Sequence, residues 1–411
     1  MGKTRRQKLT RWRQFFVNHP WIRALGRLLR RFWPSPAEPY RPQTVVPQTP
    51  AWSQGCPVAG MQYQELYPPL PLQRTPPATL DDRLHWQFEL DYGDRSPVGF
   101  LLSLPQGRFW GNCAVISPEG ALLGDLSVNF KIDPCQTPQK HPVFWKALPP
   151  PQVCGDRVAV LSSPGGNTYF HWMVDVLPRI HLLRLGLERW GLDWGAIAGF
   201  LVNGTAQPFQ SESLAALGIP LDRCWDSTAQ PHWQADRLLV PSRPRWGTCA
   251  VAPWAFDFLR HTLPAALGVV PLGRRRLYIS RGSARRRRVL QEPQLIQRLQ
   301  GYGFEAVQLE HLSLGEQIAL FQSAEAIVAP HGAGLTNLVF CAPGTWVLEM
   351  FSPNYVSVSY WNISSQLGLN YWYLFTAGDR PAPFTDPHHL EEDLQVNLGD
   401  VEQVLSRWPL D

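Results

Sequence analysis

At 411 residues the chain is long enough for two domains. Its composition, 44% hydrophobic and 17% charged, is that of a globular protein and excludes disordered and fibrous classes. The net charge of +5 conceals an asymmetry: residues 1–33 hold ten Lys or Arg and no acid, which leaves 34–411 at −5. A mildly acidic body argues against nucleic acid as a partner, since a nucleic-acid-binding domain presents a basic face.

The chain begins with that basic arm, 1–33. Trp21, Ile22, Leu25, Leu28, Leu29 and Phe32 recur at helical spacing among Arg23, Arg27, Arg30 and Arg31. Residues 17–33 thus have the pattern of a helix lying on an anionic membrane surface, with a solvated tail as the alternative. No apolar run reaches the roughly 18 residues that span a bilayer. The seven cysteines are scattered, with no C-x-x-C pair, as expected of reduced thiols in a cytosolic protein. The expected location is therefore cytoplasmic, peripheral at the inner face of the membrane. Residues 34–79 are proline-rich and read as a linker or a wrapping arm.

Residues 80–268 read as a first lobe. Short apolar runs broken by Gly and Pro (FLLSLP, NCAVISPEGALLGD, DRVAVLSS) suggest strands and hairpins. An apolar helix follows over roughly 168–187, then a strand at GFLVNG, a helix at SESLAALG, a strand over 236–242 and a helix over 253–268. Residues 269–385 read as a second lobe. Strands at 275–280, 304–310, 325–330 and 345–351 alternate with helices at 292–303, 313–324 and 334–344, the pattern of a parallel sheet covered on both faces. Residues 386–411 are expected to form a C-terminal helix packing back on the first lobe.

Three clusters carry candidate chemistry. In VAPHGAGLTNLVF, His331, Gly332, Ala333 and Gly334 lie between a strand end and a helix start. Exposed amides and the helix dipole favour a phosphate there, with Thr336 and Asn337 as further donors. Glu349 closes the next strand and is placed to accept from ribose hydroxyls. In SRGSARRRR, Ser280 and Arg281 also follow a strand end and face the same crevice. In GGNTYFHWMVDVLPR, His171 and Asp175 are four residues apart on one helix face, so the carboxylate can orient the imidazole as a base needs. A structural His–Asp pair without chemistry is the plainer alternative. Pro178 is expected to bend or end that helix. Absent are G-x-G-x-x-G, Walker, G-x-S-x-G and D-x-D patterns, which argues against dinucleotide oxidoreductases, P-loop enzymes and hydrolases, and against metal-held nucleotide sugars.

GGNTYFHWMVDVLPR, LYISRGSARRRRVLQE and IVAPHGAGLTNLVFCAPGTWVLEMF, in this order, resemble glycosyltransferase family 61 over roughly residues 155–375. The resemblance implies an α/β, GT-B-like fold: two Rossmann-like lobes with parallel sheets facing a central cleft, the nucleotide sugar held by the second. It implies an inverting, metal-independent transfer, with no cofactor and no metal, from a nucleotide-sugar donor to a glycan or lipid-linked acceptor, in cell-surface polysaccharide biosynthesis. Position by position, Ser280, Arg281, Arg288, His331 to Asn337 and Glu349 match the donor-side motifs. Asn167, His171, Trp172, Asp175 and Arg179 match the N-terminal motif, with His171 or Asp175 as base and Asn167, Trp172 and Arg179 on the acceptor side. Gln291 stands where the family usually has Asn. The arm and proline segment differ from secretory-pathway members, which begin with a membrane anchor, and align the chain with bacterial-type members. A non-catalytic nucleotide-sugar-binding or scaffold protein is the alternative reading.

Overall fold

The computed structural model describes residues 39–410 apart from 56, 57 and 131. The basic arm 1–33 lies outside the described residues. Among those described, no helix is long and apolar enough to cross a membrane.

Two sheets organise the chain. The second has five strands, all parallel, in the spatial order Phe304–Val307, Arg275–Ile279, Ala324–Pro330, Trp346–Phe351, Asn370–Phe375. Counted along the chain this is 2-1-3-4-5. Alternate residues enter separate cores: Leu277, Ile327, Val347 and Tyr373 on one face, Tyr278, Val328, Leu348 and Leu374 on the other. Such two-sided burial explains the near-continuous apolar runs of these strands. The helix Leu314–Ser323 starts at Ser313, whose side chain and that of Glu316 form a capping box. The strand order reverses between Arg275–Ile279 and Ala324–Pro330, and ligands bind at such a reversal, beyond the carboxyl ends of the strands.

The first sheet has ten strands and is mixed, not wholly parallel as expected. Strands His232–Pro241, Gln152–Val160, Gly199–Val202 and Cys224–Asp226 run parallel in that spatial order. Gly99–Pro105 and Arg108–Trp110 both pair antiparallel with His232–Pro241, and Ala114–Ile116 and Ala121–Leu123 continue the antiparallel half. The turns joining Arg108–Trp110, Ala114–Ile116 and Ala121–Leu123 are too short for a crossover, so antiparallel pairing is the geometry open to these three.

Two boundaries differ from expectation, and a third is decided. Of the two readings of the proline-rich segment it is the wrapping arm that holds, not the linker: Thr44–Val46 and Gln62–Tyr67 are strands of the first sheet, and Ala78 pairs alongside the last strand of the second. Pro50 is tolerated in the first turn of the short helix Thr49–Gln54, and the extended chain to either side is what a sheet edge accepts. The first lobe does not start at residue 80, because Phe88 stacks on Tyr373 at 4.6 Å and packs against Trp361. The C-terminal helix Leu398–Leu405 covers the second sheet, not the first lobe. Val401, Val404, Leu405 and Trp408 join Leu295, Val328 and Leu348 in one core, and Trp408 stacks on Trp346 at 5.5 Å. That apolar face needs a cover beyond the helix Glu292–Gln300, and burying it favours this docking.

Candidate active site

The helical segment Tyr169–Arg189 is unbroken despite Pro178. Pro178 cannot donate to residue 174 and its ring crowds that carbonyl. The turn Trp172–Val176 widens to π geometry, which accommodates the proline and carries Asp175. His171 Nδ1 lies 2.7 Å from Asp175 Oδ2. Arg245 donates to both Asp175 oxygens, Nε to Oδ1 at 2.6 Å and Nη2 to Oδ2 at 2.8 Å. Burial opposes ionisation of Asp175, but the Arg245 charge and the hydrogen bonds from His171 and Arg245 outweigh it and hold the carboxyl well below the usual range. With Nδ1–H committed to Asp175, His171 keeps a free lone pair on Nε2. Gly165, at φ +75°, keeps that edge open: a Cβ there would stand 2.7 Å from His171 Cδ2 and 3.2 Å from Nε2.

Across from this pair stands the crevice of the second sheet. The Arg281 guanidinium lies against Gly332, where a Cβ would come within 2.2 Å of Nη1. Gly332 has extended backbone, so it is space that demands glycine here. The 3-10 helix Ala333–Phe340 begins next, its first internal bond running from Leu335 N–H to Gly332 O at 3.0 Å. The amides of Ala333 and Gly334 precede that bond and face outward, Ala333 being exposed. Arg281 Nε has no partner, and Nη2 donates to Arg286 O at 3.1 Å.

His331 is buried and stacks on Phe351 at 5.2 Å. Glu349 accepts from its Nδ1 and from Tyr371 Oη at 2.5 Å. Burial lowers the His331 pKa, Arg287 and Arg281 push the same way, and Glu349 opposes them. Glu349 is fully buried with both oxygens engaged, so it holds His331 in place and does not meet a ribose.

Several expected contacts resolve differently. Ser280 is buried; its Oγ donates to Glu292 Oε1 at 3.0 Å and accepts from Gly282 N–H, so it shapes the turn that presents Arg281. Arg288 is tied to Asp393 at 2.7 Å and points to the surface. Thr336 donates to Ala333 O at 2.6 Å; Asn337 bonds Gln317 and accepts from Tyr169 Oη at 2.5 Å, joining the two lobes. Trp172 is a core residue whose Nε1 donates to Ser213 at 2.9 Å, and Arg179 is buried, donating to Ser162 O at 2.7 Å. Apolar packing keeps Trp172 from the surface of the first lobe. Asn167 alone of that motif's acceptor-side set is exposed.

Arg287 belongs to the run Arg285–Arg288, expected to reinforce the phosphate site with two or three of its members solvated; Arg245 carries no expectation from the sequence. Arg287 has φ +56°, lies 5.3 Å over the Tyr355 ring and has an unpartnered Nε. Its charge acts on His331 and on Arg281, and among the described residues no carboxylate lies within ion-pair distance of either arginine. Arg245 lies four residues beyond the strand His232–Pro241, in the short strand Arg245–Trp246 that pairs with Ala250–Val251. Ring contacts connect the two sides: His171 to Phe170 at 5.3 Å, Phe170 to Tyr360 at 5.9 Å, Tyr360 to His331 at 5.2 Å.

Residues 169–348 match the family model described as glycosyltransferase 61. The chain is similar to a beta-1,2-xylosyltransferase of Arabidopsis thaliana, 33% identical over 91 residues, 22% of this chain and 17% of that protein. It is also similar to a beta-1,2-xylosyltransferase of Oryza sativa subsp. japonica, 39% identical over 56 residues, 12% of this chain and 10% of that protein. The similarity thus spans less than a fifth of either relative's length. The stretch 169–348, which holds the His171–Asp175–Arg245 cluster and the crevice of Arg281 and His331, belongs to glycosyltransferase family 61.

Proposed function

We propose that this chain is an inverting glycosyltransferase that moves a sugar from a nucleotide-sugar donor to a hydroxyl of a glycan or lipid-linked acceptor. The observation that carries the reading is the pair of arginines without carboxylate partners, Arg281 and Arg287, beside the open amides of Ala333 and Gly334 at the reversal of strand order. A diphosphate supplies the negative charge these groups lack. The acceptor hydroxyl gives its proton to His171 Nε2 as its oxygen attacks the anomeric carbon, and the bond to the diphosphate oxygen breaks. Asp175 and Arg245 hold the imidazole, and Asp175 balances the imidazolium that forms. The arginines and amides stabilise the departing diphosphate, which supports a transfer without metal. A GT-B-like pairing of lobes around a cleft fits this division of roles. Docking of residues 17–33 on an anionic membrane surface, and a place in cell-surface polysaccharide synthesis, rest on the sequence reading alone.

The test is nucleotide release from a panel of UDP-, GDP- and CMP-sugars, with and without saccharide acceptors. Release by the parent that vanishes in His171→Ala, with nucleotide binding retained, supports transfer. Binding without release under every condition supports a non-catalytic binding protein instead.

A further inference from the structure

A second cationic cluster lies in the first lobe and serves no step above. Strand His232–Pro241 is followed by Ser242 and Arg243, just as Arg275–Ile279 is followed by Ser280 and Arg281. The neighbouring parallel strand Gln152–Val160 leads to Ser162, whose carbonyl accepts from Arg179. Arg179 is 3% exposed and its Nε has no partner. Arg243 donates no hydrogen bond to any described residue, its Nη1 is buried, and its guanidinium lies 5.8 Å over the Trp246 ring.

Among the described residues no anion is left free to balance this pair. Asp175 is the carboxylate whose charge reaches both arginines, and His171 and Arg245 occupy its two oxygens. Asp125 acts on Arg243 from a distance and is bound by Thr49, N–H at 2.9 Å and Oγ1 at 2.6 Å. The Cys113 thiol is pushed up to about 12 by burial, so it carries no charge at neutral pH. Among the described residues no carboxylate lies within ion-pair distance of Arg179 or Arg243. Three guanidinium groups therefore share Asp175. Buried donors without acceptors, and buried charge without a partner, are costly; a bound oxyanion removes both costs. The cluster adjoins His171 through Arg245, whose Nη2 lies 3.2 Å from His171 Nδ1. Two exposed aromatic residues lie beside it: Trp246 under Arg243, and Phe130 edge-on to His171 at 5.6 Å. Flat apolar faces next to charged donors suit a sugar ring that bears an anionic substituent.

We infer that the acceptor carries an oxyanion, a carboxylate or a phosphoryl group, which seats between Arg179 and Arg243 while the acceptor hydroxyl meets His171 Nε2. This rests on the sugar-transfer reading, with the first lobe as its acceptor side.

The test uses the full chain and calorimetric titration. The probes are a methyl glucuronide, glucose 6-phosphate, neutral methyl glucoside and inorganic phosphate, with a panel of nucleoside diphosphates run beside them. The parent should bind one anionic sugar at least about tenfold more tightly than methyl glucoside, the size expected of a charge-assisted hydrogen bond. The glucuronide and phosphate arms identify the source of the oxyanion. Arg243→Gln should lose the preference and Arg243→Lys keep part of it, while both bind nucleoside diphosphate as the parent does, which reports an intact fold. Equal binding of anionic and neutral sugars overturns the inference. So does a preference that survives Arg243→Gln, or binding of inorganic phosphate without either anionic sugar. If no nucleoside diphosphate binds the parent, the sugar-transfer reading itself fails, a result distinct from those.

Discussion

Arg281 occupies the volume that any side chain at Gly332 would need, with Nη1 2.2 Å from the position of a Cβ. The two residues lie in the loops that follow different strands of the second sheet, Arg275–Ile279 and Ala324–Pro330. Gly332→Ala should therefore displace the guanidinium. We expect nucleoside-diphosphate affinity to fall at least tenfold while the melting temperature changes little, because the extended backbone at 332 tolerates alanine. Calorimetry and thermal melting on the same preparation separate the two effects. Unchanged affinity would remove Arg281 from the site.

Arg281→Ala and Arg287→Ala should each weaken diphosphate binding by about 1.5–3 kcal/mol, the worth of a hydrogen bond to a charged group. Arg288→Ala is the control. Its guanidinium is half exposed and held by Asp393, so its loss should leave affinity unchanged. Equal losses in all three would mean that the arginine run acts through bulk charge.

Arg245→Ala strips the partner from a buried carboxylate. Asp175 then keeps only the His171 hydrogen bond and the more distant charges of Arg179 and Arg243, and breaking such a buried pair costs up to about 3–5 kcal/mol. A denaturant melt should show a loss of that order. Asp175→Asn should cost less, since it removes the charge along with the pairing. The reverse ranking would contradict the ion-pair account.

The His331 pKa is lowered from 6.5, so the unfolded chain binds protons at this residue more readily than the folded one. Stability at this site is therefore full above about 6.5 and is lost as pH falls through that value toward the folded pKa. A flatter acid limb of the stability curve in His331→Asn than in the parent is the expected result. A diphosphate beside His331 reverses the bias, because an anion favours the imidazolium. Binding should then draw in a proton near neutrality, visible as a dependence of titration heat on the buffer's ionisation enthalpy. Identical heats in phosphate and Tris would rule out that uptake.

Chelation with EDTA should leave transfer intact, since arginines and amides carry the charge of the leaving group. Activity that returns only with added manganese would overturn this.

Alternation of short apolar runs with helical patterns made the second sheet legible, and the strand-end rule found Arg281 and His331. The same rule applied to DRLLVPSRPRW would have found Arg243, but that strand is followed by proline-broken chain with no glycine loop to mark it. Glu349 was read as a ligand group because sequence shows that a carboxylate ends a strand but not which face it takes. Burial against Tyr371 and His331 decides that, and it depends on neighbours far apart in the chain. Thr336 and Asn337 misled for the same reason: a tight 3-10 turn points them inward. Composition left the proline segment open between linker and wrapping arm, because it does not report what a stretch lies against.

The strip around Ala78 has a consequence for how this protein can be cut. Ala78 N–H donates to Tyr371 O and Tyr373 N–H donates to Ala78 O, both at 2.9 Å, so an otherwise bare row of peptide groups on Asn370–Phe375 is sealed by chain some 90 residues upstream of the family-matched stretch. An excised fragment limited to that stretch would lack both the sealing strip and the last strand itself. It would also end inside Trp346–Phe351 and lose Glu349, leaving Ala324–Pro330 with only a stub of its neighbour as a raw hydrophobic border, open to adhesion between molecules. The family-matched segment is thus not a portable module; its sheet edge is closed by residues outside the match.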